Sequence, residues 1–237
     1  MIKLSWSNLE LFNECPRCFY FAVNYKVRRP SGFPLNFNNA IDRMMKDEMD
    51  IIRQKDVRQH AIEISGKEFV LSRIKSLGKW RHSSHGLCYQ WGEDLMLKGV
   101  LDDVWEDSEG NLVVVDIKST ATVSTMSSLP RWSDKIKRQL SFYAYLLKQL
   151  GYDVSDNSVI FYVVGKIKKD GLLKNMEFDY HKFIVQNDLT WINPRVQEAL
   201  ATLKSNGAPE GSERCVFCKF EQRSQRVFKS SDTPDAP

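Results

Sequence analysis

The spacing of hydrophobic residues predicts helices alternating with strands along most of the chain. Apolar positions recur at helical intervals in three segments, residues 38–55, 133–150 and 193–207. A capping box formed by Ser7 and Glu10 predicts an earlier helix, which Pro16 should kink or end. Short β-branched runs at 112–115 and 159–164 are apolar on both faces, as in buried central strands. The pattern therefore predicts an α/β fold.

Composition adds few constraints beyond a folded chain. The 237 residues include 34 Lys and Arg against 30 Asp and Glu, a net charge of +4 that permits a polyanionic partner without requiring one. There is no apolar run of about 18 residues, so no membrane span is expected, and residues 1–14 lack the pattern of a signal peptide. The expected compartment is the cytoplasm, where cysteines stay reduced or bind metal.

Two aspartates lie at the ends of strand-like segments joined by a polar turn near Gly110. Side chains two apart on a strand share a face, so Asp116 and Lys118 should point the same way. A hairpin would set Asp102 beside them, and two carboxylates at one sheet end suit Mg²⁺ or Mn²⁺. A neighbouring lysine can position water or stabilise phosphate charge. The alternative is that these residues are ordinary surface charges.

Four of the five cysteines form two Cys-x-x-Cys pairs at opposite ends of the chain. Cys15 and Cys18 lie about 200 residues before Cys215 and Cys218. Four thiolates in this pattern suit a tetrahedral Zn²⁺ ion or a [4Fe–4S] cluster that would join the chain ends. Two unrelated pairs of free or redox-active thiols are the alternative. Cys88 has no partner motif and is expected to be a packed thiol.

Five short motifs follow one another along nearly the whole chain. They are Leu4–Leu9 with Cys15-Pro16-Arg17, Gly99-x-x-Asp102, Asp116-Ile117-Lys118, Gln139-x-x-x-Tyr143 and Cys215-x-x-Cys218-Lys219-Phe220. In this order they resemble the RecB-like branch of the PD-(D/E)XK nuclease superfamily. The last motif resembles that of its iron–sulfur members, such as the exonucleases of CRISPR adaptation and AddB-type repair subunits. Each motif alone has little specificity, but together they indicate this family.

The resemblance implies a role for each acidic-site residue. Asp102 and Asp116 would bind the divalent metal ion together with the backbone carbonyl of Ile117, and Lys118 would be the catalytic lysine. Family members often carry a further histidine or glutamate ligand on the second helix. Asp42 stands at that position here, without the family's glycine and histidine, and is either a metal ligand or a solvated helix charge.

The resemblance also implies roles for Gln139, Tyr143 and the cysteines. Gln139 and Tyr143 lie one helical turn apart and would orient the lysine or contact DNA, although Tyr143 also fits plain core packing. Iron–sulfur relatives use one N-terminal and three C-terminal cysteines, so Cys18 would replace the missing third C-terminal ligand. The resemblance favours [4Fe–4S], while the symmetric arrangement of two pairs is equally natural for Zn²⁺.

The predicted architecture is one nuclease domain over residues 1–228. A restriction-endonuclease-like core, with a central mixed sheet flanked by helices, would be closed by a four-cysteine clamp from residues 1–35 and 208–228. Residues 229–237 are expected to be a disordered tail.

The predicted function is a Mg²⁺- or Mn²⁺-dependent DNA nuclease, an exonuclease or end-processing enzyme acting on single-stranded DNA or duplex ends. Basic residues near Gln139 would contact phosphates, or they form an ordinary solvated surface, and Trp132 or Tyr25 would stack on single-stranded bases. The basic residues are Arg131, Lys135, Lys137 and Arg138. A helicase or a CRISPR-adaptation protein is the expected partner, with DNA repair as one setting. The alternative is a non-catalytic DNA-binding or scaffold subunit that retains the fold.

Overall fold

The computed structural model describes residues 1–30, 32, 36–55, 57–122, 133–166 and 177–231. Its strands are β1 (Ile2–Ser5), β2 (Ile62–Ile64), β3 (Lys67–Leu71), β4 (Leu87–Trp91), β5 (Leu95–Gly99), β6 (Asp103–Glu106), β7 (Leu112–Thr122), β8 (Asn157–Lys166) and β9 (Glu177–Gln186). Its helices are α1 (Trp6–Glu14), α2 (Pro16–Asn24), α3 (Asn36–Arg53), α4 (Leu77–Trp80), α5 (Ser133–Gln149), α6 (Ile192–Lys204) and α7 (Val216–Ser231), with a 3₁₀ helix at Val57–His60. None of the helices within these ranges is long and apolar enough to cross a membrane.

Backbone contacts divide the chain into two compact units. Unit 1 contains Met1–Lys3 and Pro34–Thr190, and unit 2 contains Leu4–Phe33 and Trp191–Pro237. Unit 2 draws on both ends of the chain, as the predicted clamp does, and also includes all of α6. The single domain over residues 1–228 stays a prediction.

A mixed sheet forms the centre of unit 1. Within the described residues it has six strands in the order β2-β3-β6-β7-β8-β9. β7 and β8 run parallel, whereas the other neighbours pair antiparallel. Parallel neighbours need a crossover connection, and α5 lies between them in the chain. The predicted α/β fold with a mixed sheet is therefore confirmed. A smaller sheet has the order β1-β5-β4.

The strands β7 and β8 lie in the interior of this sheet, and their side chains are buried on both faces. Val113, Val114 and Val115 are at most 1% exposed. One face packs against Ile41 and Met49 of α3, and α5 also lies against both strands. Burial on both faces explains why continuous apolar runs, rather than alternating ones, mark these strands in the sequence.

A hairpin joins β6 to β7, as predicted around Gly110. Asp103 pairs with Val115 in antiparallel register. Gly110 has a φ of 82°, a conformation that residues with a Cβ rarely adopt. The carboxylate of Asp107 accepts a hydrogen bond from the amide of Asn111, which closes the turn. The turn thereby sets the register on which the functional site depends.

The first helix begins earlier than its predicted cap. Ser5 is the N-cap of α1: its hydroxyl accepts a hydrogen bond from the amide of Asn8, whose side chain accepts one from the amide of Ser5. The capping box assigned to Ser7 and Glu10 is therefore wrong, because Asn8 forms the reciprocal pair instead. Pro16 ends this helix as predicted and opens α2.

Other element ends differ slightly from the predicted ones. The helices expected at 38–55 and 193–207 are confirmed as α3 and α6, each with ends moved by a few residues. Residues 56–86, where the pattern predicts no element, contain β2, β3 and α4, which are too short to show a clear period. α7 reaches Ser231, inside the predicted tail at 229–237, and the rest of that tail lies outside the described residues.

Unit 2 consists of α1, α2, α6 and α7 around aromatic contacts. The rings of Phe12 and Phe19 lie 5.1 Å apart between centroids, and those of Trp6 and Trp191 lie 6.2 Å apart. The first contact packs α1 against α2, and the second joins the two ends of the chain.

Candidate functional site

Two aspartates meet where the β6–β7 hairpin opens. Asp103 pairs with Val115, so the same register sets Asp102 opposite Asp116. The Oδ2 atom of Asp102 accepts a hydrogen bond of 3.0 Å from the amide of Ile117. Because the N–H and C=O of one strand residue face the same edge, the Ile117 carbonyl also faces Asp102. Three of the predicted metal-binding groups therefore lie together.

Asp116 is a buried carboxylate without adequate partners. Its side chain is 1% exposed, and neither oxygen accepts a well-oriented hydrogen bond within the described part of the chain. Burial raises the pKa of Asp116 to about 7, although Lys118 lowers it, and Asp102 raises it further. A buried carboxylate in this state reduces stability unless a cation binds it. This group is the structural feature that best fits a divalent metal ion.

Lys118 shares the face of β7 that carries Asp116, as predicted. Its Nζ atom lies 2.5 Å from Oδ2 of Asp116, and the pair is an ion pair without good hydrogen-bond geometry. The Lys118 side chain is 31% exposed. The Lys118 side chain is therefore partly accessible to solvent.

A second lysine, which the sequence reasoning missed, lies between Asp42 and Asp102. The Nζ atom of Lys46 donates hydrogen bonds of 2.8 Å to Oδ2 of Asp42 and 2.9 Å to Oδ1 of Asp102. Burial lowers the pKa of Lys46, but the two carboxylates raise it more, so its net pKa is above the usual value. The sequence does indicate the contact between Lys46 and Asp42, because residues four apart on one helix share a face.

The neighbouring Asp103 has a structural role distinct from that of Asp102. Its carboxylate is completely buried and forms ion pairs with Arg53 and Arg81. Arg81 also donates a hydrogen bond to the backbone carbonyl of Asp102. Adjacent strand residues point to opposite faces, so one aspartate anchors the hairpin while the other faces the candidate site.

Gln139 and Tyr143 are residues of α5 and lie beside the acidic site. The side-chain amide of Gln139 donates a hydrogen bond of 3.2 Å to the Tyr143 hydroxyl. Burial raises the pKa of Tyr143, and the charges of Asp116 and Asp102 raise it further, so the hydroxyl stays protonated. The Tyr143 ring also packs where a side chain on Gly99 would stand, because a Cβ there would lie 2.9 Å from ring atom Cδ1.

The donor set of this site fits Mg²⁺ or Mn²⁺. Asp102 and Asp116 offer carboxylate oxygens and Ile117 offers a carbonyl, and these hard oxygen ligands are the type such ions prefer. Asp42 is joined to this set through Lys46. Its predicted role as a direct ligand therefore stays a prediction.

The four cysteines of the two pairs, called the cysteine group below, meet within unit 2. The Sγ atoms of Cys15 and Cys218 lie 3.6 Å apart, as do those of Cys18 and Cys215, and Cys18 and Cys218 are separated by 3.7 Å. All four sulfur atoms lie within 4.8 Å of one another. Cys88 is exposed and does not belong to the group, so its predicted packing is wrong.

Hydrogen-bond donors approach the cysteine group from outside. The amide of Ser212 donates to Sγ of Cys15 over 3.4 Å, and the guanidinium of Arg29 donates to Sγ of Cys215 over 3.5 Å. Arg29 is held in place by an ion pair of 2.5 Å with Glu14. Donors of this kind stabilise thiolates and orient metal ligands.

Helix α5 also carries basic residues, which precede Gln139 in the chain. Lys135, Lys137 and Arg138 belong to the turns of α5 that precede Gln139. Arg131 and Trp132, which are also expected to contact DNA, lie outside the described residues.

The family model described as the PD-(D/E)XK nuclease superfamily matches residues 3–223, a range that includes both the acidic site and the cysteine group. No curated protein matches the chain. A solved structure described as the crystal structure of SSO0001 is similar with a TM-score of 0.42 and 14% identity, over 93% of this chain and 84% of that chain.

Proposed function

Because this chain belongs to the PD-(D/E)XK nuclease superfamily, we propose that it is a Mg²⁺- or Mn²⁺-dependent DNA nuclease. Its active site would be formed by Asp102, Asp116 and Lys118. The observation that supports this assignment most strongly is the buried carboxylate of Asp116, which accepts no well-oriented hydrogen bond from the described residues and lies near a second carboxylate. The structural Asp103 is paired with two arginines, whereas among the described residues Asp116 has one lysine, Lys118, at ion-pair distance.

Each residue of the site has a distinct task. A bound divalent cation would polarise the scissile phosphate and activate water as the nucleophile. Asp102 and Asp116 would hold that cation through carboxylate oxygens and Ile117 through its carbonyl. Lys118, whose side chain is partly exposed, would donate hydrogen bonds to a phosphate oxygen and stabilise the developing negative charge.

Tyr143 and Gln139 would support this arrangement from α5. The Tyr143 hydroxyl remains protonated and is fixed by Gln139, so it cannot add negative charge to the site. Gln139 is only partly buried, which leaves its amide able to orient Lys118 or to contact DNA. These roles agree with those that the resemblance to RecB-like nucleases implies.

The proposed substrate is single-stranded DNA or a duplex end, cut as an exonuclease or end-processing enzyme. Two observations support it: the resemblance to RecB-like exonucleases and the basic residues of α5, which can contact phosphates. A helicase or a CRISPR-adaptation protein would expose such ends. A cytoplasmic location agrees with reduced cysteines.

The second candidate is a non-catalytic DNA-binding or scaffold subunit. It would have no physical reason to retain a buried, poorly partnered carboxylate beside Asp102 and Lys118, because that carboxylate reduces stability. The two candidates differ in one measurable property, metal-dependent cleavage.

The test offers labelled single-stranded and blunt duplex DNA to the purified protein with Mg²⁺ or Mn²⁺. We expect cleavage by the natural protein, a loss of at least about 100-fold in Asp116→Asn, and a similar loss in Lys118→Met. Labels at the 5′ and 3′ ends of separate substrates then distinguish exonuclease polarity from internal cutting.

A matched control is Asp156→Asn, the same chemical change at a side chain that is 83% exposed. It should cut DNA at the natural rate. If Asp116→Asn also cuts at that rate while folded by circular dichroism, the active-site assignment is wrong. If no protein cuts any substrate but DNA binding persists, the scaffold alternative is correct.

A further inference from the structure

The spacing of the cysteine group bears directly on which metal it holds. A tetrahedral ion with Zn–S bonds of about 2.3 Å sets its four sulfur ligands about 3.8 Å apart. The closest separations in the cysteine group are 3.6, 3.6 and 3.7 Å, and none exceeds 4.8 Å. The four sulfur atoms therefore already surround a space of the size of one ion.

A [4Fe–4S] cluster requires a wider arrangement. Each of its four thiolates binds a different iron atom, and the body of the cluster, with its irons and sulfides, lies between them. The sulfur ligands must therefore stand farther apart than around a single ion. The cysteine group does not fit the cluster that the family resemblance implies. We infer that it holds a single tetrahedral ion, with Zn²⁺ as the natural occupant.

The backbone closes the cysteine group on the side of Gly211, whereas Cys18 and Cys218 border a cavity on another side. A Cβ on Gly211 would lie 2.8 Å from both Cβ and Sγ of Cys218, so the backbone there already touches this ligand. Cys15 is completely buried, and Cys215 and Cys218 are each 5% exposed. On the Gly211 side, Cys218 cannot move outward to admit a cluster unless this backbone moves.

The two Cys-x-x-Cys pairs have the same local backbone arrangement. Cys15 immediately precedes α2 and Cys215 immediately precedes α7. In each half the carbonyl of the first cysteine accepts a hydrogen bond four residues later, from the amides of Phe19 and Lys219. Each Cys-x-x-Cys thus spans the first turn of a helix, where the helix dipole favours the thiolate form.

The site has the character of a structural centre. Four protein thiolates complete tetrahedral coordination and leave no open position for water or substrate. Four thiolates and one Zn²⁺ carry a net charge of −2, and Arg29 offsets part of it through its hydrogen bond to Cys215. Its ring neighbour Phe217, 4.9 Å from the guanidinium carbon to the ring centroid, helps to fix Arg29 there.

The experiment measures metal content and colour in protein purified without oxygen from cells supplied with both iron and zinc. We expect about one Zn²⁺ per chain, no acid-labile sulfide and no visible absorption. Replacement of the ion by Co²⁺ should give the intense blue-green spectrum of tetrahedral thiolate coordination. A brown protein with iron and sulfide in equal amounts would overturn the inference, as would a protein that binds no metal.

Two variants make the outcome specific to the cysteine group. Cys88→Ser, which changes the exposed cysteine outside the group, should keep its full zinc content. Cys218→Ser should lose most of it. If Cys218→Ser does not fold, Co²⁺ titration of the denatured natural protein during refolding replaces it: saturation near one equivalent supports the inference, and no tetrahedral spectrum contradicts it.

Discussion

The acidic site of unit 1 and the cysteine group of unit 2 are both candidate cation sites, but they differ in how closely their ligand atoms lie. The cysteine group is assembled: every sulfur lies within 4.8 Å of the others. The three carboxylates of Asp42, Asp102 and Asp116 do not come so close within the described ranges, and the ammonium of Lys46 joins two of them. The sulfur atoms of the cysteine group are thus already close to one another, whereas two carboxylates of the acidic site are paired with the ammonium of Lys46.

The difference follows from what each site has to do. A structural ion is bound once, so its ligands can be buried, satisfied and fully coordinated. A catalytic site must leave positions for water and phosphate, so it retains groups that are badly satisfied without a ligand, such as Asp116. Stability should therefore depend on the cysteine group, and activity on the acidic site.

The largest effect is expected from breaking the cysteine group. Cys218→Ser should lower the free energy of unfolding by about 5 kcal/mol, because a crosslink that closes a loop of this length restricts the unfolded chain. Urea denaturation followed by tryptophan fluorescence measures the loss, since Trp6 and Trp191 lie in unit 2. The control Cys88→Ser should stay within about 0.5 kcal/mol of the natural protein. Equal stability of the two variants would contradict a structural role.

A smaller effect of opposite sign is expected at Asp116. Its folded pKa of about 7 lies above the unfolded value, so the folded state holds the proton more tightly. The natural protein without divalent cations should therefore lose stability as pH rises from about 4 to about 7. Asp116→Asn cannot ionise and should be more stable, by a few kcal/mol, above about pH 7 but not near pH 4.

Denaturation of both proteins across this pH range checks the prediction. The difference between the two curves isolates Asp116, since all other titrating groups are shared. Curves that run parallel at every pH would show that Asp116 is satisfied in the folded protein, and the contrast between the two sites would lose its basis.

Support of the acidic site by α5 is tested at Gly99. Gly99→Ala adds a methyl group against Tyr143 and Leu146, each only 2.9 Å from the new Cβ. We expect a loss of about 1–3 kcal/mol in stability, together with slower DNA cleavage as Tyr143 is displaced. Gly78→Ala is the control, because its added Cβ meets no atom within 4 Å. Cleavage by Gly99→Ala at the rate of that control would exclude a positioning role for Tyr143.

The smallest effect is expected at Lys46. Lys46→Met removes a positive charge that touches Asp42 and Asp102, so repulsion of an incoming cation decreases. Mn²⁺ should bind about tenfold more tightly, which corresponds to about 1.4 kcal/mol. Isothermal titration calorimetry measures the affinity. Weaker binding would show that Lys46 organises the carboxylates for the metal instead of competing with it.

The parts of this comparison that the sequence could predict are those encoded by local pattern. The apolar run ending at Asp116 indicates a buried strand, and the polar turn near Gly110 indicates the hairpin that brings Asp102 alongside. The cysteine pairs were recognisable from their spacing alone. In each case a short motif identifies the residues of the site.

Other features depend on tertiary contacts and were not predictable from local pattern. The bridge from Lys46 to Asp102 joins residues 56 positions apart, and nothing in the sequence indicates that they meet. The sequence also left the cysteine metal open between Zn²⁺ and [4Fe–4S], because spacing along the chain does not determine the distances between sulfur atoms. The cap at Ser5 was missed because Asn8 replaced the expected glutamate.

The most direct test of the central claim is Mn²⁺ binding to the acidic site, measured by isothermal titration calorimetry. The protein used has no divalent cation in the acidic site but keeps the ion of the cysteine group. A trace of contaminating nuclease cannot affect this result. The account predicts that the natural protein and Asp156→Asn bind Mn²⁺ with the same affinity, and that Asp116→Asn binds it at least about tenfold more weakly. Unchanged binding in Asp116→Asn would contradict the claim that this buried carboxylate is a metal ligand.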